Sequence, residues 1–237
     1  MLIEDIYGSR INYELVKQTL SGMNFNVYNH TLRLEQFLEP NKTNYTFQIS
    51  EQDGNPLATE IRLNRNDLFY IAGICVALQK IDSDNVSRYP VLNYPDIAIF
   101  SGDNTTNLVE HEALETVYNG QMTFTTSSVE KVRDMNTNQF RSVPETQGVG
   151  AGVGTAFSYT TYPEGELYFI PSTPMNILDG SKDNKIAFTL GGGDTAVIDG
   201  NVDSGNNPDT RRNKLIIFLA GWRVDDGSLG AGRVTRP

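Results

Sequence analysis

The chain has 237 residues, 38% hydrophobic and 20% charged, with 29 acidic residues against 19 basic ones and a formal charge of −10. A chain of this length buries roughly 70% of its unfolded surface, enough for one large core without disulfides or metals, and its acidic balance disfavours a nucleic-acid backbone as partner. One cysteine excludes an intramolecular disulfide, and two histidines beside it are too few for an ordinary nitrogen and sulfur metal site.

The first residues include Glu4 and Asp5 and lack the basic and apolar regions of a secretory signal. Ser9 to Gly22 has the spacing of a short amphipathic helix: Ile11, Leu15, Val16, Thr19 and Leu20 fall near one face, Ser9 can cap its start and Gly22 can close its end. Residues 1–26 therefore read as a helical N-terminal arm.

From there strand signals dominate. Candidate strands are Val27 to Leu38, Tyr45 to Ile49, Glu60 to Leu63, Leu68 to Ile81, Ile97 to Phe100, Met122 to Thr126, Phe140 to Val143, Phe157 to Thr161, Leu167 to Ile170, Lys185 to Leu190 and Lys214 to Val224, punctuated by polar turns. The run from Leu68 to Leu78 is the strongest: too short to cross a bilayer as a helix and rich in Ile, Val, Phe and Tyr, it predicts a strand buried on both faces, with Cys75 as a small buried hydrophobe. The expected fold class is all-β, mainly β with one or two short helices: a jelly-roll-like β-sandwich over residues 27–224, followed by a C-terminal tail at 225–237. About eleven candidates fall between the eight strands of a single jelly roll and the sixteen of a double one, and the long loops favour the single form.

One helix is expected between Thr105 or Thr106 and Gly120, with Leu108, Leu114, Val117 and Tyr118 on its apolar side and Glu110, Glu112 and Glu115 on a solvated face. The alternating glycines from Gly148 to Gly154 lack the spacing of a dinucleotide fingerprint and read as a mobile connection. Gly191 to Asp194 lacks the Lys-Ser/Thr ending of a phosphate loop. Five Asn-x-Ser/Thr triplets, at Asn29, Asn41, Asn44, Asn85 and Asn104, are expected in an Asn- and Thr-rich chain without implying glycosylation.

Chemistry-bearing patterns are sparse. Neither His30 nor His111 lies in a nucleophile or metal signature; His30 reads as a surface side chain. Asp199, Asn201 and Asp203 place oxygens at alternate positions with Asp209 downstream, a weak calcium-loop pattern that lacks the usual glycine and terminal acid. Arg211, Arg212 and Lys214, and further on Arg223, Arg233 and Arg236, read as a solvated edge or ion-pairing residues. No carboxylate pair stands out as a hydrolytic centre. No catalytic residue and no cofactor is expected.

The stretch Tyr118-Asn119-Gly120-Gln121-Met122-Thr123-Phe124, then Asp134-Met135-Asn136-Thr137 and Phe140 to Gln147, resembles virion structural proteins of bacteriophages, in particular capsid-type proteins from phages of Bacteroidetes hosts. Leu63 to Phe69 and Leu215 to Arg223 share that style. The resemblance implies a jelly-roll subunit, made in the host cytoplasm and located in the virion, that self-associates into homo-oligomeric and commonly trimeric capsomers alongside other virion proteins. It implies neither strong nucleic-acid binding nor a membrane-spanning segment. A basic terminal arm, frequent in capsid proteins that hold a genome directly, is missing from this sequence. Terminal and glycine-rich segments are the expected contact regions between subunits, with Ile11, Leu15, Gly150, Gly152, Arg233 and Arg236 as candidate interface residues. The alternative is a carbohydrate- or receptor-binding sandwich of a phage tail or cell surface, using Tyr159, Tyr162, Tyr168 and Trp222 as an aromatic platform.

Overall fold

Residue-by-residue alternation of apolar and polar side chains is what makes a strand bury one face, and the second sheet shows it plainly. Tyr45 and Phe47 point inward from Asn44–Gln48, Met122 and Phe124 from Gln121–Thr126, and Ile186 and Phe188 from Asn184–Thr189, all nearly inaccessible to solvent. The computed structural model describes residues 25–51, 56–81, 89–100, 110–141, 178–200 and 212–226.

These residues form eight named strands: β1 (Phe25–Phe37), β2 (Asn44–Gln48), β3 (Leu68–Ile81), β4 (Gln121–Thr126), β5 (Val129–Asn136), β6 (Leu178–Asp179), β7 (Asn184–Thr189) and β8 (Arg212–Asp226). The first sheet has the order β1-β8-β3-β6 and the second β2-β7-β4-β5. Every pair of neighbouring strands in these two sheets is antiparallel. Strand one therefore pairs with eight, two with seven, three with six and four with five. This is a long hairpin rolled so that alternate rungs fall in opposite sheets, which is the topology of a single jelly roll.

The inner faces of both sheets meet in one core. Leu32 and Leu34 of β1, Ile74, Val76 and Leu78 of β3, and Leu215, Ile217 and Leu219 of β8 face Tyr45, Phe47, Met122, Phe124, Ile186 and Phe188 of the second sheet. The central strands of the first sheet are buried on their other face as well. There Cys75, Ala77, Ile216 and Phe218 cluster with Val91 against them, and Tyr70 lies against Trp222 with ring centroids 5.9 Å apart. The expected doubly buried strand is thus β3, running beside an equally buried β8.

The segment after residue 56 contributes single bridges in place of a strand: Ile61 pairs with Arg33, and Leu63 with Ser50, so this stretch joins the β1 edge of one sheet to the end of β2 in the other. Ile97–Phe100 is a short helix, α1, where a strand was expected. Asp96 explains the difference, since its carboxylate accepts the N–H of Ile99 at 3.2 Å and its carbonyl accepts that of Phe100 at 2.8 Å. Helix α2 (Glu110–Tyr118) lies within the expected helical stretch. It is closed by the Thr137 hydroxyl, which accepts from Gly120 N–H at 3.0 Å and donates to the Val117 carbonyl at 2.7 Å. Thr137–Phe140 forms a 3₁₀ turn, capped by Asn136, where the start of another strand was expected. The candidates Phe157 to Thr161 and Leu167 to Ile170 lie outside the described residues.

Strand β5 is an addition to the sequence reading. It follows a two-residue turn at Ser127 and Ser128, both at positive φ, which matches the twist of a tight hairpin. Its side chains are mainly exposed, and Glu130, Lys131 and Arg133 make it a charged edge that discourages unspecific strand pairing.

Candidate functional site

Two buried polar clusters lie on opposite faces of the first sheet, and they hold most of its unusual chemistry. In an antiparallel pair, residues directly opposite each other share a face. Lys80 of β3 is opposite Asn213 of β8, and both point inward, one step beyond the apolar pair Leu78 and Leu215. Helix α2 delivers Glu110 to the same place. Lys80 Nζ donates to Glu110 Oε2 at 2.8 Å and to Oε1 at 3.1 Å, while Asn213 Nδ2 donates to Oε1 at 2.6 Å and to the Ile198 carbonyl at 3.0 Å. All three side chains are nearly or wholly removed from solvent. With both amide protons directed at acceptors, the orientation of the Asn213 carboxamide is set, and its Oδ1 is buried without a hydrogen-bond partner.

Gly200 makes room for this arrangement. Its φ is +76°, and a Cβ there would stand 3.0 Å from both terminal atoms of Asn213 and from Glu110 Oε1. The expectation of a solvated Glu110 is therefore corrected: the first turn of α2 faces the end of the core, where Lys80 and Asn213 supply the donors that a buried carboxylate requires. Glu112 is exposed, and Glu115 is half-buried and ion-paired to Arg141, whose Nε donates at 2.9 Å. That bond raises the already high pKa of Arg141.

On the outer face, Glu35 of β1 is buried and accepts from Lys214 Nζ at 2.7 Å and from the Thr59 hydroxyl at 2.7 Å, with Arg33 ion-paired to it. Arg33 also donates to Gln79 Oε1 at 3.0 Å, and Gln79 in turn donates to the Tyr89 carbonyl at 3.0 Å. The network joins β1, β8 and β3 to the segments that flank them. It is closed and intramolecular, suited to fixing strand positions.

Of the basic residues singled out in the sequence, Arg212, Lys214 and Arg223 are similarly engaged, and Arg211 lies outside the described residues. Arg212 lies over the Phe37 ring at 5.5 Å, and Arg223 is ion-paired with Asp67 and lies over Tyr28 at 5.7 Å. His30 is corrected from a surface side chain to a half-buried one, edge-on to Phe69 with centroids 6.3 Å apart, because its strand position faces inward opposite Gly221. His111 lies on α2, half-buried. Trp222 is buried against Tyr70 and presents no open platform, while Tyr159, Tyr162 and Tyr168 lie outside the described residues.

Of the calcium pattern, Asp199 ends the turn before Gly200 and its carbonyl accepts the Asn213 N–H at 2.9 Å; Asn201, Asp203 and Asp209 lie outside the described residues. Among the described residues no three His, Cys, Asp or Glu side chains are grouped to hold a metal ion. The candidate interface residues Ile11, Leu15, Gly150, Gly152, Arg233 and Arg236 also lie outside the described residues. No helix among the described residues is long and apolar enough to cross a membrane.

Sequence reading missed Lys80 and Asn213 as partners. The signal was present in weak form, as two polar residues at the ends of otherwise apolar runs, but only the β3–β8 register brings them together. No protein-family model and no curated protein matches the chain.

Proposed function

We propose that this chain is a shell-forming structural subunit of a virion, of the bacteriophage capsid type, and that its work is self-association, with a trimeric capsomer as the expected unit. The observation that carries this reading is the single jelly-roll topology with its interior filled by side chains. Jelly rolls recur in viral shells, in lectins and in cupins. A cupin-type reaction needs a ligand cavity between the sheets, and here that space is occupied by Tyr45, Phe47, Phe69, Phe124 and Phe188. A first sheet whose central strands are buried on both faces, cross-linked by two internal polar clusters, suits a rigid block that keeps its shape under the load of assembly. The resemblance of the Tyr118 to Gln147 region to phage virion proteins points the same way. Fold alone does not determine function, so the assignment rests on the topology and that resemblance together.

Light scattering after size-exclusion chromatography, followed by electron microscopy, tests the proposal. Closed symmetric oligomers or particles are expected, whereas a monomer at every attainable concentration overturns it. A glycan array measures the competing sugar-binding reading directly; saturable binding there would replace self-association as the chain's primary activity.

A further inference from the structure

Lys80, Asn213 and Glu110 form more than a buried ion pair: an amine, a carboxamide and a carboxylate are held together at the end of the core, all three nearly or wholly removed from solvent. Both reacting nitrogens lie within 3.1 Å of one carboxylate oxygen, and the two side chains that carry them are opposite each other on neighbouring strands. Cross-strand Cβ atoms lie about 5 Å apart, a span that a lysine side chain can bridge to reach its partner's carboxamide carbon. We propose that Lys80 and Asn213 become joined by an intramolecular isopeptide bond, with Glu110 as the catalytic residue that carries the protons.

The step balances without a co-reactant. Glu110 takes a proton from the Lys80 ammonium through their hydrogen bond, and the freed Nζ electron pair forms a bond to Asn213 Cγ. The resulting tetrahedral centre collapses as Glu110 protonates Nδ2, to which it is already hydrogen-bonded; the Cγ–Nδ2 bond breaks and ammonia departs. Glu110 then accepts the second proton from the new amide nitrogen and passes it to the ammonia. In sum, an ammonium and a primary carboxamide give a secondary amide and an ammonium ion, and Glu110 ends as it began. An amine is a competent nucleophile once it is deprotonated and held against its target, and orientation of this kind replaces the encounter that makes amide exchange slow in water.

The consequence is a covalent tie between the two central strands of the first sheet at the end where Arg212 enters β8. It would protect the subunit from being pulled or heated apart.

Mass spectrometry of the full-length purified chain under denaturing conditions is the test. The expected mass is below that of the sequence by one ammonia, about 17 Da. After tryptic digestion, the segment from Asn66 to Arg88 should remain uncut at Lys80 and carry the dipeptide Asn213-Lys214. Glu110→Gln and Asn213→Ala should each restore the full sequence mass, and Asn213→Asp should give a loss of water in place of ammonia. A cooperatively folded wild-type chain at its full sequence mass, cut by trypsin at Lys80 once denatured, overturns the proposal. Because that decisive measurement is made on the wild type, failure of a variant to fold cannot obscure it.

Discussion

Glu35 on β1 and Lys214 on β8 meet at 2.7 Å on the outer face of the first sheet, both nearly buried, and each lies beside an apolar strand neighbour. Removing one partner of a buried pair leaves the other uncompensated, which costs about 3–5 kcal/mol, whereas replacing both with apolar residues of similar volume is frequently neutral. Glu35→Ala is expected to lower the unfolding free energy measured by urea denaturation by an amount in that range. The double variant Glu35→Leu, Lys214→Met should recover much of the loss, with Arg33 still bonded to Gln79. Chemical denaturation of the wild type, Glu35→Leu, Lys214→Met and the double variant measures the coupling.

The second sheet should differ in tolerance between its centre and its edge. Phe188 on β7 is buried between β2 and β4, so Phe188→Ala is expected to cost about 3–5 kcal/mol through lost burial and the cavity left behind. Val129 on the edge strand β5 is 54% exposed, and Val129→Thr should change stability by less than about 0.5 kcal/mol. Thermal melts of the two variants against wild type check the contrast.

Gly180 marks a close approach of two backbone segments. A Cβ at this position would lie 1.9 Å from the carbonyl oxygen of Asn64, while the Gly180 N–H donates to the Asp67 carbonyl at 2.9 Å. Main-chain atoms on both sides must shift to admit a methyl group, so Gly180→Ala should destabilise by about 1–3 kcal/mol. At Gly192 an added Cβ meets nothing within 4 Å, and Gly192→Ala serves as the near-neutral control in the same denaturation series.

Alkaline pH should expose the burial of Cys75. Removal from solvent pushes its thiol from an ordinary value of 9.0 up to about 12, because the thiolate is the form that burial penalises. A folded-state pKa above the unfolded one contributes stability that is complete below pH 9 and is lost as pH rises toward 12, since the unfolded chain ionises first. Tyr118, whose hydroxyl burial also raises well above its ordinary value, acts in the same direction at higher pH. Melting temperature measured from pH 8 to 11 should fall, and Cys75→Ala should make the fall shallower. In the native protein near neutral pH, Cys75 should resist thiol reagents until the chain unfolds.

How much could be read in advance follows from the range over which each force acts. The strands β1, β2, β3, β4, β7 and β8 were legible because an apolar run or a period-two pattern is a local property of the chain, and burial follows from it directly. The edge strand β5 was hidden by its charges, α1 was obscured by an apolar run too short to have a period, and the two-residue β6 exists only because β3 lies beside it. What the linear chain determined was an all-β protein with one dominant doubly buried strand. Which face Glu110 presents, which residue lies opposite Lys80, and that Gly200 leaves space for both were decided by the register of β3 against β8 and the docking of α2, relations between positions up to 133 apart along the chain (80 and 213) that no local pattern encodes. The fold was legible because burial is written residue by residue, and the polar cluster was not, because its members acquire a common environment only when the sheets close.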